Sequence, residues 1–274
     1  MGIISWQQEV AQSLTDLGFS FRLVEKGQYN LIHFADKNFM LNLIDIAGGH
    51  TGPSLVDLAE SAASEGIYLV QLWEDVWHSR REQVLGRIAA IIGTNKRLHG
   101  RQTKIVQLTQ SQMDEFLNQH HLLGTAKSKY RFGLVHGDKL VAVAGFSNLR
   151  YMKKGGPIYR SAELIRFATL TGFTVTGGFT KLLKHFIDTY QPNDIMSYAD
   201  RDWSQGGAYS RAGFTLIEIT APAKIWLNKA TLERYFAHRL PLSSADTAEV
   251  DYIKIFNTGN LKYILYLLPQ IDNH

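Results

Sequence analysis

The chain contains no cysteine, so thiolate nucleophiles, disulfides and Cys-ligated zinc or iron-sulfur centres are excluded. A metal ion could enter only through His, Asp or Glu. His120 and His121 stand side by side, but neighbours on a helix point about 100° apart and do not share one ion. They read as surface and core neighbours at a helix end. Glu74 and Asp75 are bracketed by Trp73 and Trp77. Two indoles there could stack on a base, although such residues are more often core, and the acid pair stands just ahead of a helix whose dipole favours negative charge at its start. Residues 94–104, TNKRLHGRQTK, concentrate Lys and Arg with almost nothing apolar. This segment reads as a domain boundary or as a phosphate-contacting loop. Gly177-Gly178 precedes an amphipathic run and reads from its residues alone as a turn capping a helix.

These residues need a scaffold, and the composition supplies one. The 274 residues include 45% hydrophobic and 20% charged, with 29 Lys+Arg against 25 Asp+Glu for a net charge of +4, which is globular composition with length for a sizeable core. No apolar run approaches the ~18 residues of a membrane span, and the start MGIISWQQEV lacks a basic segment followed by an apolar one. The expectation is a soluble, cytoplasmic protein without membrane contact. So small an excess of positive charge permits nucleic-acid contact without requiring it.

Periodicity predicts a helix over Ile3 to Leu17, then strands FSFRLV, YNLIHF and NFMLNLIDI. After Gly48-Gly49-His50-Thr51-Gly52-Pro53, Ser54 is a candidate N-cap for SLVDLAESAASEG. The strand IYLVQLWEDVW and the helix SRREQVLGRIAAIIG follow. Beyond the basic segment come a strand (KIVQLT), a helix (QSQMDEFLNQHH), a hairpin turning at His136-Gly137-Asp138, the strand SAELIRFATL, the helix FTKLLKHFIDTY, the strand DIMSYAD, the short helix GGAYSRA and the strand FTLIEIT. YIKIFNTGNLKYILYLL reads as two strands joined across Asn257-Thr258-Gly259-Asn260.

The order from residue 103 onward resembles the GNAT superfamily of acyl-CoA-dependent N-acyltransferases. Its most specific carrier is Ala208-Tyr209-Ser210-Arg211-Ala212-Gly213-Phe214, similar to that family's A-x-x-Y-x-x-x-G-F element with a shortened lead-in. The resemblance implies that Tyr209 donates a proton to the departing CoA thiolate, a role suited to a positioned general acid; packing of the short helix is the competing reading. Thr174-Val175-Thr176-Gly177-Gly178-Phe179-Thr180 resembles the family's pyrophosphate loop, where backbone N–H groups and a helix start approach phosphate. Two positions depart from it: Thr174 stands where Gln or Arg is expected, and Phe179 where a small residue is. The resemblance implies cofactor contacts from Thr174, Val175, Thr176, Gly177, Gly178, Thr180 and Ser204, with Asp200 and Arg201 beside a parting of strands. It makes Glu163 the candidate base, against an ordinary ion pair with Arg166 or Arg160. Acetyl-CoA or another acyl-CoA and an amine acceptor are the implied partners.

From about Leu41 to Leu227 the chain also resembles phage and bacterial homing-endonuclease-related proteins, in which a restriction-endonuclease-like domain precedes a GNAT-like one. Such nuclease folds hold a divalent metal at strand ends. The resemblance implies Asp45, Glu74, Asp75 and His78 as residues that could hold Mg²⁺. Between LNLIDI and Ser54 the expected strand with an E-x-K pair is missing, so the domain reads as degenerate. The overall expectation is an α/β protein: a nuclease-like unit over 1–100, a GNAT-like mixed sheet with flanking helices over 101–230, and a C-terminal extension with a hairpin over 231–274. Acyl transfer is the leading function, and DNA binding or cleavage the alternative.

Overall fold

The computed structural model describes residues 5–153, 158–240 and 251–267. Ile3, Ile4 and parts of the expected C-terminal extension, residues 241–250 and 268–274, lie outside them. The architecture is mixed α/β, as the composition and periodicity predict.

Helix α1 (Ser5–Asp16) buries Trp6, Val10 and Leu14 at helical spacing and ends before Gly18, whose φ of +77° reverses the chain. β1 (Arg22–Lys26), β2 (Tyr29–Phe34) and β3 (Phe39–Ile44) follow. α2 (Gly52–Ser64) opens with a capping box in which Thr51 is the N-cap and Ser54 the third helical residue; Ser54 is therefore not the cap. Such a cap contributes about 1 kcal/mol. β4 (Tyr68–Trp73) is shorter than the sequence suggests, because α3 (Glu74–Ile92) starts at Glu74. The acid pair forms the first helical turn, and the helix kinks at Arg80.

The basic segment is not a linker. It forms β5 (Lys96–His99), a 3-10 turn over Gly100–Gln102 and the start of β6 (Lys104–Gln107). Next come α4 (Gln110–His120), capped by Thr109, then β7 (Tyr130–His136), β8 (Lys139–Phe146), β9 (Arg150–Lys153) and β10 (Ile158–Thr169). The chain continues through β11 (Phe173–Thr176), α5 (Gly178–Tyr190), β12 (Asp194–Asp200), α6 (Gly207–Arg211) and β13 (Thr215–Ile219). β14 (Lys224–Asn228), β15 (Arg234–Tyr235), β16 (Tyr252–Phe256) and β17 (Asn260–Tyr266) complete it. Among the described residues no helix is long and apolar enough to cross a membrane.

Packing divides the chain into two compact units, one drawn from Met1–Arg81, Asp200–Gln205 and Ile219–Asn260, the other from Glu82–Ala199, Gly206–Glu218 and Leu261–His274. This departs from the division at residues 100 and 230, because composition reports contiguous stretches whereas sheets recruit distant ones. In the first unit, β1-β2-β3-β4 form a sheet in which only β3 and β4 run parallel. A second sheet, β15-β14-β16, joins it through a core of Ile44, Leu55, Trp73, Ile225, Leu227 and Ile255. In the second unit, eight strands form one sheet in the order β13-β17-β12-β10-β8-β7-β6, with β9 paired to β10. Its core includes Leu134, Phe146, Leu164, Leu182, Phe186 and Ile195.

The predicted turn at Gly137-Asp138 is present between paired His136 and Lys139. The predicted hairpin across Asn257–Asn260 is not. β16 pairs with β14, whereas β17 enters the large sheet between β12 and β13. Asn257 turns its side-chain oxygen to the N–H groups of Ala223 and Gly259. At Gly259, φ is +89° and a Cβ would lie 2.1 Å from the Thr220 carbonyl oxygen. The stretch is pinned to residues 220–223 instead of folding back on itself.

Candidate functional site

The second unit contains a fork. β10 and β12 pair in parallel only from Ser161↔Asp194 to Leu164↔Ser197, while β10 continues to Thr169 against β8. The register with β8 shifts between Leu164 and Arg166, so Ile165 is an extra residue where the pairing with β12 stops; such a bulge bends a strand away from its neighbour.

Tyr209 reaches this fork from α6. Ser197 Oγ lies 2.8 Å from the Leu164 carbonyl oxygen and 3.1 Å from the Tyr209 hydroxyl. A carbonyl can only accept, so the single Ser197 proton serves Leu164 and the Tyr209 O–H donates to Ser197. Burial pushes the phenol above its ordinary value, outweighing the positive charges of Arg166 and Arg87; the hydroxyl keeps its proton at neutral pH. Its ring stacks on Tyr263 at 5.1 Å and meets Phe214 and Phe179 edge-on at 5.4 and 5.7 Å. Tyr263 also explains the start of α6. A Cβ on Gly206 would lie 1.9 Å from the Tyr263 hydroxyl oxygen, and Gly206 has φ +75°, so only glycine fits.

The glycine loop lies on β11 and the first turn of α5. Val175 is buried, while Thr174 and Thr176 are exposed, so Val175 can offer only backbone to a ligand. Gly177, with φ +75°, is the N-cap of α5, and no side chain caps the helix. The N–H groups of the first turn therefore lack helical partners, as at any helix start. Gly178 permits close packing, since a Cβ there would meet Val175 at 2.7 Å and Leu134 at 3.1 Å. Thr180 Oγ1 donates to the Gly177 carbonyl at 3.0 Å. The Phe179 ring, expected to crowd phosphate, packs edge-on against Phe167 at 5.0 Å and near Phe214 at 6.4 Å. It belongs to the aromatic group around Tyr209.

Among the described residues Glu163 pairs not with Arg166 or Arg160 but with Arg150, at 3.6 Å. It precedes Leu164 on β10, so strand alternation places it on the opposite sheet face from Leu164 and Ser197. Tyr209 and Glu163 thus flank the fork from its two faces. Ser204, Asp200 and Arg201 belong to the first unit. Ser204 does not cap α6, whose N-cap is Gly206. Arg201 pairs with Glu60 at 2.9 Å, and Asp200 accepts from the Asp202 N–H at 3.0 Å.

The acids of the endonuclease resemblance are not assembled as a metal set. Asp75 holds Arg234 through two bonds of 2.6 and 2.8 Å. Glu74 accepts from the Ile46 N–H and lies 3.7 Å from His78, while Asp45 accepts from the Ala47 N–H. Among the described residues no three His, Asp or Glu side chains gather as metal ligands do. Trp73 and Trp77 are buried and offer no stacking surface. His120 lies against Phe116 and near the Thr171 hydroxyl.

Residues that sequence reasoning missed include Ser197, Tyr263 and Phe167. Each is an ordinary residue type on a strand, and only sheet order brings it to Tyr209.

No protein-family model matches the chain, and no curated protein matches it. Similar solved structures include the ribosomal-protein-S18-alanine N-acetyltransferase of Escherichia coli, at 14% identity over 63% of this chain and 98% of that one, with a TM-score of 0.38. An IAA acetyltransferase from Bacillus cereus matches at 13% identity over 60% and 99%, with a TM-score of 0.37. A GNAT family acetyltransferase from Elizabethkingia anophelis with acetyl-CoA bound matches at 14% over 61% and 99%, with a TM-score of 0.34.

Proposed function

We propose that the second unit is a GNAT-like acyltransferase domain that moves an acyl group from acyl-CoA to an amine. The observation that carries this reading is the enclosed Tyr209 hydroxyl at the parting of β10 and β12. The glycine loop supports it: uncapped N–H groups at the start of α5 suit phosphate, and the Phe179 ring packs against Phe167. Acyl-CoA, when bound, supplies an activated acyl carbon and a thiol leaving group.

In this reading the backbone N–H groups of Val175, Gly177, Gly178 and Thr180 hold the pyrophosphate, with the exposed Thr174 and Thr176 contributing their side chains. The Glu163 carboxylate takes a proton from the attacking amine on one face of the fork. Tyr209 Oη gives its proton to the departing sulfur on the other and regains one from solvent. A phenol kept protonated by burial suits the acid role.

Isothermal titration of the protein with acetyl-CoA, together with free-thiol release in the presence of primary amines, tests the reading. Tyr209→Phe is expected to bind acetyl-CoA within about threefold of wild type and to release thiol at least ~100-fold more slowly. Absence of acetyl-CoA binding at millimolar concentration, or an unslowed variant, overturns it.

A further inference from the structure

β5, which the sequence disguises as a linker, lies against the glycine loop. It pairs in parallel with β11 in the register Lys96↔Phe173, Arg97↔Thr174, Leu98↔Val175 and His99↔Thr176. Leu98 and Val175 are buried together. Paired residues share a sheet face and alternate along each strand, so Arg97, His99, Thr174 and Thr176 form the opposite, exposed face. Arg97 stands directly across from Thr174, the position where the family resemblance calls for Gln or Arg. Neighbouring strands are ~4.8 Å apart, well within the length of an arginine side chain.

The turn after β5 is locked to the loop. A Cβ on Gly100 would lie 3.1 Å from both the Gly177 carbonyl carbon and the Gly178 nitrogen, so glycine allows the two backbones to touch. Lys181, the first cation on α5, is committed to this junction: its ammonium donates to the Gly100 carbonyl at 2.9 Å and to the Thr103 carbonyl. Among the described residues, no hydrogen bond or ion pair engages the side chains of Arg97 or Arg101, and both are exposed. The two chain segments that meet here carry no acid: none occurs between Glu82 and Asp114, nor between Glu163 and Asp188. An anion on this face meets the Arg97 guanidinium and no carboxylate from either segment.

Resting on the acyl-CoA reading above, we propose that Arg97 binds the CoA pyrophosphate, a guanidinium from the neighbouring strand replacing the side chain that Thr174 lacks. The planar fork of Arg97 grips two phosphate oxygens, while Lys181 holds the turn that presents it. The division of labour is specific to this chain, because it depends on β5 being paired to β11.

The test compares wild type, Arg97→Ala and Arg97→Lys by calorimetry with acetyl-CoA and with its 3′-dephospho form, alongside thermal unfolding. Arg97→Ala is expected to unfold as wild type does and to bind both ligands at least ~10-fold more weakly, with the deficit shrinking in added salt; Arg97→Lys recovers part of the loss. Equal affinity of wild type and Arg97→Ala for acetyl-CoA overturns the inference and leaves the transferase reading standing. A deficit confined to the ligand carrying the 3′-phosphate also overturns it, since the pyrophosphate is then held elsewhere. No binding by wild type removes the transferase reading and the inference together. If Arg97→Ala abolishes a mobility shift with duplex DNA while acetyl-CoA binding is intact, the face serves nucleic acid and the proposal is wrong.

Discussion

Asp202 offers a sharp test of the electrostatics of the first unit. Its side chain is buried, and its Oδ1 accepts from the Thr258 N–H at 2.8 Å and the Thr258 hydroxyl at 2.6 Å. Burial, reinforced by the charge of Asp200, pushes its carboxyl from 3.8 up to about 7, against the opposing effects of Thr258 and Arg234. Between those values the folded state holds a proton that the unfolded state has released. Stability is therefore fully present below about pH 4 and declines as the pH rises through about 7. A shift of about three units corresponds to about 4 kcal/mol, taken as a ceiling. Asp202→Asn keeps the accepting oxygen and removes the charge, so its stability should be nearly level across the same window. All five tryptophans, Trp6, Trp73, Trp77, Trp203 and Trp226, lie in the first unit, so their fluorescence in urea reports this unit alone. Unfolding curves at several pH values from about 4 to 8 give the two profiles. The decisive quantity is the difference between the proteins, which removes contributions from other titrating groups. Parallel profiles, or a wild type that gains stability as the pH rises relative to the variant, would refute the reasoning.

Two further outcomes are expected. Arg234→Met strands the Asp75 carboxylate, whose side chain is only 3% exposed, and should cost about 3–5 kcal/mol; adding Asp75→Asn should restore much of it, and equal destabilisation in the single and double variants would contradict this account. Gly206→Ala sets a Cβ against the Tyr263 hydroxyl at positive φ and should lower the stability of the second unit by about 2 kcal/mol or more, measurable by hydrogen exchange across α6 and β17; unchanged protection would show that the junction relaxes without cost.

Much of the fold was legible because local patterns carry it. The amphipathic run after Gly178 marks α5, and the Gly137-Asp138 turn between apolar stretches marks the β7–β8 hairpin. What misled was local as well. The hydrophilic look of Lys96–His99 suggested a boundary, yet a four-residue strand needs only one buried side chain, here Leu98, and a partner to pair with. The Asn257–Asn260 stretch has the composition of a hairpin turn, but its flanking strands found better partners elsewhere.

The same contrast separates the parts of the candidate site. The motif resemblance marked Tyr209 and Glu163 among many residues of their types, whereas the adjacent glycines stood out by type alone. Ser197 beneath the phenol, Tyr263 stacked on it and Arg97 across from Thr174 were invisible, since their residue types are common and their placement depends on strand order and register. The sequence by itself determined which side chains could exchange a proton or leave a backbone exposed, and where helices begin. Only the tertiary structure decided which of them meet, because β pairing joins residues far apart in the chain and a one-residue change of register would turn Arg97 to the opposite face.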